Sequence, residues 1–579
     1  MLLALVLGSI GVLVQDARAQ FVATPTGFTE TVGHAGVPVR YKQVPTGICE
    51  LDPNVKSFSG YADVAKDQHI FFWFFEARNQ DPTTAPLTVW INGGPGSSSM
   101  IGLFQELGPC GVDYFGNVYN NPYSWSNASN LLFIDQPTQV GHSYSVPVPG
   151  YVDPKSGSLI LLPNNTCPDY AGDSCGTYSL PDPTLTANST ANAAPNFWKT
   201  LQGFMGAFPQ YARNGFHFTS ESYGGHYGPV FNAYIEEQNA KDIPGAVNIS
   251  LQSVMIGNGW YDPIIQYQAY YNFTVWPGNT YDYSGFNSSQ AAQLYNNLYG
   301  PGNCIDRLQA CKASGSNAIC GSADTFCANN VENLYDIYLG RDEYDMRELM
   351  PDPFPYEFYT DYLNTPAVQE AIGAFVNFTE YTDAVGTNFG YTGDDGREVG
   401  TIEDIRALLG AGVTVALYAG DADYNCNWLG GEAVADEVGK EIEGWNVAGY
   451  VNLTTSDGIV HGQVKQAGRF SFTRVYESGH EVPFYQPVAS LEMFDRVVKG
   501  LDVATGRYRA TVGGKCFHTK GEKRSTYREG NATVQWSVVP TNVTYDTVKN
   551  GPGGLWVGGE GEGKSGKRRS LKMGRKGRL

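Results

Sequence analysis

Short apolar runs recur along the chain, and each is bounded by Asp, Pro or Gly. We expect these runs to be β-strands, because they are rich in β-branched and aromatic residues. They lie at residues 69–75, 87–91, 131–134, 216–219, 253–256 and 413–418. The runs are almost continuously apolar rather than alternating, which indicates a sheet covered on both faces.

Helical spacing of apolar residues appears between these runs, for example over residues 194–208 and 402–409. Strands that alternate with helices predict an α/β fold, with a mostly parallel central sheet and helices on both faces. Residues 260–360 break this rhythm, since they are rich in Tyr, Asn, Gly and Cys and contain no strong strand series. We interpret them as a cap inserted over the strand ends.

These patterns divide the chain into a signal peptide, a core in two parts separated by the cap, and a carboxyl-terminal extension. The predicted segments, in chain order, are 1–19, 20–259, 260–360, 361–510 and 511–579. The first ends in Ala17-Arg18-Ala19, a small-x-small cleavage signature after an apolar run, with a buried helix as the alternative. The basic tail at 561–579 is rich in Gly and Ser, and we expect it to be disordered.

Composition and charge narrow the class of protein. Of the 579 residues, 42% are hydrophobic and 17% charged, which excludes a wholly disordered chain and allows a buried core. The formal net charge of −20 disfavours a nucleic-acid partner. Beyond the amino-terminal run, no stretch reaches the roughly 18 consecutive apolar residues of a membrane span, and the tail lacks a GPI signal. We therefore expect a secreted, extracellular protein without a membrane anchor.

Sequons for N-glycosylation are spread along the chain, and they support secretion. Single Asn-x-Ser/Thr sequons arise by chance, but this density is typical of secretory glycoproteins. The candidate sites are Asn127, Asn164, Asn188, Asn248, Asn272, Asn287, Asn377, Asn452, Asn531 and Asn542.

The ten cysteines form local clusters, as expected in an oxidising compartment. Four of them are spaced 7, 9 and 7 residues apart, a symmetric pattern that suits two nested disulfides. Zinc binding is the alternative for these four, although no His or Cys-x-x-Cys accompanies them. The candidate disulfides are Cys304–Cys327 outside Cys311–Cys320, and further Cys167–Cys175 and Cys49–Cys110. Cys426 and Cys516 remain, and the sequence does not pair them.

The sharpest chemical signal is the apolar strand that enters a turn of small residues within 216–225. A strand, a small-residue turn and a helix form the context of a nucleophile elbow, with Ser222 as the nucleophile. Gly224 provides the small residue two positions after it, whereas Ser220 stands where the usual pattern has Gly. An ordinary strand–helix turn that contains a serine is the alternative for so short a motif.

An acid and a histidine follow in the order Ser, acid, His that such hydrolases use. A later predicted strand leads to Asp421 and Asp423. We assign the acid to Asp423, which lies three residues past a glycine and suits the turn, with Asp421 as the fallback. His480 lies on a Gly-flanked loop. His480 would take the proton of Ser222, and Asp423 would hold the imidazole in place.

Two backbone N–H groups are expected to stabilise the oxyanion. One belongs to Tyr223, directly after the nucleophile, and the other to Gly94 in the Gly-rich turn after an earlier strand. A phosphate-binding loop is the alternative, but Gly-Lys-Ser/Thr is missing from this turn. That pattern occurs at 558–565, where we regard it as a chance match in low-complexity sequence. We expect neither a metal ion nor a cofactor.

Together these segments resemble the serine carboxypeptidase family, a branch of the α/β-hydrolases, over most of residues 40–500, and most of all its secreted fungal members. The motifs that carry the resemblance are Gly47-Ile48-Cys49-Glu50, Asn92-Gly93-Gly94-Pro95-Gly96, Glu106-Leu107-Gly108-Pro109, Asn121-Pro122-Tyr123-Ser124-Trp125, Phe133-Ile134-Asp135-Gln136-Pro137, Glu221-Ser222-Tyr223, Ile256-Gly257-Asn258-Gly259, Cys426-Asn427-Trp428 after Asp423, and Gly479-His480. The resemblance implies an α/β-hydrolase fold and a peptidase that removes single C-terminal residues from peptides and proteins through an acyl-enzyme.

The resemblance also implies a site for the free α-carboxylate of the substrate. In this sequence the site falls on Asn92, on the Gly93 backbone N–H, and on Glu106 and Glu221, which share a proton. Two adjacent carboxyls repel each other when both are ionised, so one retains its proton and can donate it in a hydrogen bond to the substrate. We therefore expect activity to be best at acidic pH.

Two further residues are candidates for the specificity pocket. Glu481 stands where the family often has Met beside the leaving residue, so it would favour a C-terminal Lys or Arg unless it points to solvent. Cys426 resembles a free pocket cysteine.

Two other functions remain open at this point. One is an acyltransferase or esterase on the same scaffold, and the presence of Asn92, Glu106 and Glu221 argues against it. The other is a non-catalytic secreted glycoprotein, against which the complete triad argues.

Overall fold

The computed structural model of the chain describes residues 21–538 except 154, 157, 276–279, 513–514, 529–533 and 536–537. The predicted signal peptide at 1–19, the sequons at Asn531 and Asn542, the chance match at 558–565 and the basic tail at 561–579 lie outside the described residues.

The β-structure is dominated by one twelve-stranded sheet. In chain order, the strands are β1 (Thr29–Val32), β2 (Pro38–Val44), β3 (Ser57–Ala65), β4 (Gln68–Phe75), β5 (Leu87–Ile91), β6 (Cys110–Val112), β7 (Val118–Asn120), β8 (Asn130–Ile134), β9 (Pro147–Val152), β10 (Leu159–Leu161), β11 (Cys175–Ser179), β12 (Phe216–Glu221), β13 (Leu251–Gly257), β14 (Thr414–Gly420), β15 (Val451–Thr454), β16 (Val460–Ala467), β17 (Phe470–Val475), β18 (Thr511–Val512) and β19 (Lys515–Cys516).

Helices follow or connect most of these strands. In chain order, they are α1 (Thr190–Ala207), α2 (Gly224–Asn239), α3 (Pro263–Val275), α4 (Ser288–Tyr299), α5 (Cys304–Ser314), α6 (Asn317–Cys327), α7 (Leu334–Leu339), α8 (Phe358–Leu363), α9 (Pro366–Ile372), α10 (Asp383–Thr392), α11 (Thr401–Gly410), α12 (Trp428–Gly439), α13 (Val482–Tyr485) and α14 (Pro487–Val498).

The centre of the sheet is parallel, in the order β8, β5, β12, β13, β14, β17. Antiparallel strands extend it on both sides, β4 to β1 beyond β8, and β16 and β15 beyond β17. Each of the six predicted strands is present, as β4, β5, β8, β12, β13 and β14, and the predicted helices are α1 and α11. The α/β fold with a parallel centre is confirmed.

Both faces of the sheet are covered, as the continuous apolar runs predict. Along β4, Phe72 and Phe74 belong to the apolar core that includes α1 and α2, whereas Phe71 and Trp73 belong to a second core that includes α14. Because successive side chains of a strand point to opposite faces, this division places one core on each side of the sheet. The run at 69–75 is therefore buried like its parallel neighbours, although β4 itself is antiparallel.

The insertion between β13 and β14 is helical. Helices α5 and α6 are joined by the nested disulfides Cys304–Cys327 and Cys311–Cys320, and the bridges Cys49–Cys110 and Cys167–Cys175 are present as well. Cys426 and Cys516 are unpaired. The helices continue beyond residue 360 through α8 to α11, so the division of this region into a cap and a second core segment stays a prediction. Among the described helices, none is long and apolar enough to cross a membrane.

Candidate active site

Ser222 lies in the tight turn between β12 and α2. Its φ of +62° is in the left-handed region, which costs about 1–2 kcal/mol for a residue other than glycine. Backbone contacts hold this geometry, since the Ser222 N–H donates to Gly257 O at 3.0 Å and the Ser222 carbonyl accepts from Trp260 N at 2.8 Å and Gly225 N at 2.9 Å. The strained turn is the geometry that the elbow interpretation requires.

The serine that replaces the usual elbow glycine is accommodated. Ser220 is fully buried, and its Oγ donates to Ile91 O at 2.6 Å, which ties β12 to β5. A Cβ on Gly224 would lie only 1.9 Å from Ser220 Oγ. Position 224 must therefore be glycine, because the Ser220 side chain occupies the space that a Cβ at position 224 would need.

The three predicted triad segments meet at the carboxyl ends of the central strands. His480 Nδ1 lies 2.7 Å from Asp423 Oδ2, and the same oxygen accepts from Asn258 Nδ2 at 2.7 Å. Ser222 and His480 line one cavity of about 560 Å³. Burial opposes the charge on His480, but the adjacent Asp423 carboxylate outweighs it and raises the pKa of His480. The arrangement can deliver a proton from Ser222 to a histidine oriented by an acid.

Asp421 has other partners. It is fully buried, lies 3.5 Å from Arg474 Nη2, and accepts from Thr280 Oγ1 at 2.6 Å, Tyr281 OH at 3.0 Å and the Glu477 N–H at 2.9 Å. No hydrogen bond joins it to His480 among the described residues. The geometry favours Asp423 over the fallback Asp421.

The predicted oxyanion residues lie where the turn after β5 contacts the elbow. A Cβ on Gly93 would lie 2.4 Å from Tyr223 N, so only glycine permits this approach of two backbones. Gly94 has a φ of +106°, which also favours glycine. Gly93 and Gly94 line the same cavity as Ser222. Backbone N–H groups are therefore available beside the nucleophile.

The side chain of Asn92 has a fixed orientation. Its Oδ1 accepts from Trp90 Nε1 at 2.6 Å and from the Gly102 N–H at 3.0 Å, so the opposite end of the amide must be the donor. That Nδ2 lies 2.8 Å from Glu221 Oε1 and 3.3 Å from Glu106 Oε1. One amide thus bridges the two carboxyls that the sequence predicts to share a proton.

The two carboxyls hold protons more tightly than exposed glutamates. Burial raises the pKa of Glu106 to about 7, against hydrogen bonds from Asn92 and Glu221 that lower it. Burial, followed by the charges of Glu106 and Glu481, raises the pKa of Glu221 well above its usual range. At acidic pH the pair therefore retains at least one proton.

A family model described as serine carboxypeptidase matches residues 46–500. The chain belongs to the serine carboxypeptidase family. Carboxypeptidase S1 homolog A of Arthroderma otae is 40% identical, with 87% of this chain and 84% of that protein covered. Carboxypeptidase S1 of Penicillium janthinellum is 38% identical, with 78% and 97% covered. This membership makes the protein a serine-type carboxypeptidase, with hydrolase and protease chemistry.

The fold agrees with this membership. The crystal structure of Kex1(delta)p, a prohormone-processing carboxypeptidase from Saccharomyces cerevisiae, superposes with a TM-score of 0.62. It is 23% identical and covers 83% of this chain and 99% of that chain. At this identity the similarity establishes the α/β-hydrolase fold.

Glu481 lines the active-site cavity of this serine carboxypeptidase, and its Oε2 is buried. Burial, followed by the charges of Glu106, Glu380, Glu357 and Asp342, raises the pKa of Glu481 well above its usual range. No Lys or Arg of the described part of the chain lines the cavity. The other carboxyls that line it are those of Glu221, Asp342, Asp352, Glu357 and Glu380. The cavity wall is acidic.

Cys426 lies beside the triad but away from the cavity wall. It is buried, and its N–H lies 3.2 Å from Asp423 Oδ2. Its Sγ lies within 4.8 Å of a carboxylate oxygen of Asp423 and of a ring nitrogen of His480. It is not among the residues that line the cavity. Its role in the specificity pocket stays a prediction.

Two site residues had no predicted role. Asn258 supports Asp423, and the signal for it was a polar residue directly after the apolar run of β13, at the rim where such sheets bind ligands. Tyr344 packs edge-on against His480 at 4.9 Å, and its carbonyl accepts the His480 N–H at 2.9 Å. Tyr344 belongs to the insertion, and nothing in the sequence pattern indicates this contact.

Proposed function

We propose that this serine carboxypeptidase releases single C-terminal residues from peptides and proteins at acidic pH, through an acyl-enzyme on Ser222. The observation that carries the proposal is the Asn92 amide that bridges Glu106 and Glu221 beside the nucleophile elbow. An esterase or acyltransferase has no need of such a pair, because its substrates lack a free α-carboxylate.

The acylation step follows from the triad geometry. His480 takes the proton of Ser222 Oγ as that oxygen attacks the carbonyl carbon of the last peptide bond. The backbone N–H groups of Gly94 and Tyr223 stabilise the oxyanion. The imidazolium, held by Asp423 at 2.7 Å, then gives its proton to the departing amino group as the C–N bond breaks. Water repeats the sequence on the acyl-enzyme and releases the shortened peptide.

The carboxyl pair selects the chain end and sets the pH range. Asn92 Nδ2, the Gly93 N–H and the protonated member of the Glu106–Glu221 pair donate to the substrate carboxylate. Because the pKa of Glu106 lies near 7 and that of Glu221 is higher, rising pH first ionises Glu106 and places its negative charge against the substrate carboxylate. KM therefore rises towards neutral pH, even though a deprotonated His480 favours the chemical step.

We further propose a preference for C-terminal Lys or Arg. We expect the side chain of the last residue to face Glu481, which lines the same cavity as Asn92 and Glu221. Glu357 and Glu380 line it as well, and no Lys or Arg of the described residues is there to balance these carboxyls. A bound ammonium or guanidinium would lower the raised pKa values of these carboxyls and form charge-assisted hydrogen bonds with them.

Secretion and N-glycosylation belong to the same proposal. The four disulfides suit an oxidising compartment, and most candidate asparagines in the described chain are exposed. Asn377 differs, because its Oδ1 accepts the Thr177 N–H at 2.8 Å and its Nδ2 donates to Asn364 Oδ1 at 3.2 Å. A glycan is attached through Nδ2, so it would disturb the bond to Asn364, and we expect this sequon to be empty.

The decisive experiment is a time course of amino-acid release from matched peptides that end in Lys, Arg, Leu or Glu, at several pH values. We expect one residue to appear first, fastest from the Lys and Arg peptides at acidic pH, and to lose most of its rate when the C-terminus is amidated. Glu481→Gln should reduce the preference for Lys and Arg over Leu. Amidated peptides cleaved as fast as free ones, or ester hydrolysis without peptide hydrolysis, would favour the esterase or acyltransferase alternative.

A further inference from the structure

The side chain of Tyr223 is bound to a carboxylate that no step above uses. Tyr223 is fully buried, and its hydroxyl donates to Asp394 Oδ2 at 2.7 Å. The same oxygen accepts from the N–H and the Oγ1 of Thr190, both at 2.7 Å. Asp394 is itself buried, two residues after α10, and lies far from Tyr223 in sequence. Three donors therefore converge on one oxygen at the tip of the Tyr223 side chain.

This oxygen joins three separate parts of the fold. Tyr223 belongs to the elbow, Thr190 is the first residue of the 18-residue helix α1, and Asp394 follows α10. The backbone of Asp394 is fixed as well, because its N–H donates to Phe389 O at 3.3 Å and its carbonyl accepts from Arg397 N at 3.2 Å. A carboxylate at the amino terminus of a helix is favoured by the helix dipole. Asp394 is thus a rigid anchor rather than a mobile surface acid.

The Tyr223 ring is held along its length. One face stacks on His226, with ring centroids 4.7 Å apart and an interplanar angle of 13°, and Phe389 packs edge-on at 6.0 Å. His226 is fixed in turn by contacts to the carbonyls of Trp260 and Arg397, at 2.6 Å and 3.2 Å. Because its ring is packed against His226 and Phe389 and its hydroxyl is hydrogen-bonded, the side chain of Tyr223 restricts the backbone rotation at its own Cα.

At the other end of Tyr223, the backbone N–H must be placed accurately for the proposed reaction. The peptide between Ser222 and Tyr223 follows a residue at a φ of +62°, a conformation that persists only when its surroundings impose it. The N–H of this peptide is the proposed oxyanion donor. Such a donor is effective because it is already in place and does not reorganise during the reaction.

We propose that Asp394 is a positioning residue of the oxyanion hole. Through the Tyr223 hydroxyl it fixes the orientation of the 222–223 peptide, so that the Tyr223 N–H points at the developing oxyanion. The inference rests on the proposed function, because it assigns Asp394 to the acylation step described there.

The test compares Tyr223→Phe and Asp394→Asn with the matched control Tyr227→Phe. Tyr227 is equally buried, lies on α2 and packs edge-on against Tyr223 at 5.0 Å, but its hydroxyl makes no hydrogen bond to Asp394. Each variant is assayed for kcat and KM, for inhibition by a peptide aldehyde, which forms an oxyanion on Ser222, and for affinity for a product peptide, which occupies only the carboxylate site.

We expect Tyr223→Phe to lower kcat about tenfold and to weaken the aldehyde by a similar factor, a fraction of the loss that follows removal of a whole oxyanion donor. KM and product affinity should stay within about twofold of the wild-type values, and Asp394→Asn should act in the same direction. The double variant should lose little more than Tyr223→Phe alone, because Tyr223→Phe removes the same hydrogen bond that Asp394→Asn weakens by removing the charge of its acceptor. Tyr227→Phe should leave all four quantities unchanged.

Equal effects of Tyr223→Phe and Tyr227→Phe, or a kcat of Tyr223→Phe within twofold of wild type, would overturn the positioning role. A loss of product affinity equal to the loss of aldehyde affinity would also overturn it, since that pattern reports general misfolding of the site. Failure of the proposed function is a separate result, visible in the wild type as an absence of C-terminal release while a fluorophosphonate still labels Ser222.

Discussion

At the scale of single residues, two aspartates that lie two positions apart after β14 have different partners. Asp423 faces His480 and is supported by Asn258, whereas Asp421 neutralises the buried Arg474 and holds Thr280. Both are fully buried, so burial does not distinguish them. Their hydrogen-bond and charge partners distinguish them, because these partners determine what each carboxylate can do.

This difference predicts opposite outcomes for the two Asp→Asn variants. Asp423→Asn should lower kcat by about 10⁴-fold with little change in stability, since the wrong imidazole tautomer is then favoured. Asp421→Asn should leave kcat of the folded enzyme near the wild-type value but lower the free energy of unfolding by about 3 kcal/mol, since it leaves Arg474 buried without its charge partner. Steady-state kinetics and thermal unfolding of both variants test this, and the reverse pattern would reassign the acid to Asp421.

The carboxyl pair makes a second prediction at this scale. In the wild type, KM for a peptide should rise as pH passes about 7, because Glu106 ionises there and its charge repels the substrate carboxylate. Glu221→Gln retains a donor that does not titrate, so KM should depend much less on pH, at a higher value in acid. The measurement is KM from pH 4 to 8 with a peptide ending in Leu. Glu357→Gln, a cavity carboxyl outside the pair, is the control, and an unchanged profile for Glu221→Gln would contradict the proton-sharing role.

At the scale of elements, the elbow depends on how closely β12 approaches α2. The substituted position Ser220 fills the space that a Cβ on Gly224 would need, at 1.9 Å. Gly224→Ala should therefore push the start of α2 away, lower the free energy of unfolding by about 1–3 kcal/mol and reduce kcat about a hundredfold through misplacement of Ser222.

A matched glycine provides the control for this prediction. Gly390 lies in α10, where an added Cβ meets nothing within 4 Å, so Gly390→Ala should be neutral or stabilising by up to about 1 kcal/mol. Unfolding and kinetics of the two variants are compared side by side. Wild-type kcat in Gly224→Ala would show that the elbow tolerates a larger residue and that the contact with Ser220 relaxes.

At the scale of the whole molecule, many carboxyls are buried around the insertion. Burial raises the pKa of Glu332 to about 8, that of Glu343 to about 7 and that of Glu348 to about 8, with neighbouring acids adding to each. At these carboxyls the folded state therefore binds more protons than the unfolded state between pH about 4.5 and about 8. Their ionisation lowers the free energy of unfolding as pH rises through that window.

We accordingly expect the melting temperature to decrease steadily from pH 5 to pH 8. Glu332→Gln removes one of the titrating groups and should make the decrease shallower, because the amide needs no proton to remain neutral. Calorimetry of both proteins across this range is the measurement. A melting temperature that rises towards pH 8 would contradict the buried acids as the source of the pH dependence.

Much of the architecture was accessible from local pattern. The strands β5, β12, β13 and β14 are short apolar runs between turn residues, and such runs indicate strands that are buried on both faces of a sheet. The nested disulfides and Cys167–Cys175 could also be inferred, because the spacing of their cysteines is local. The antiparallel placement of β4 could not, because an apolar run carries no information about the direction of its neighbours.

The sequence by itself determined the family and the residue types at each motif, and it predicted the order of nucleophile, acid and histidine. These follow from short segments whose chemistry does not depend on distant parts of the chain. Only the tertiary structure placed Asp423 rather than Asp421 beside His480, turned Glu481 into the cavity rather than to solvent, and brought Asp394 to the tip of Tyr223. Such outcomes depend on burial and on hydrogen-bond partners from segments far apart in sequence, and folding alone brings those together.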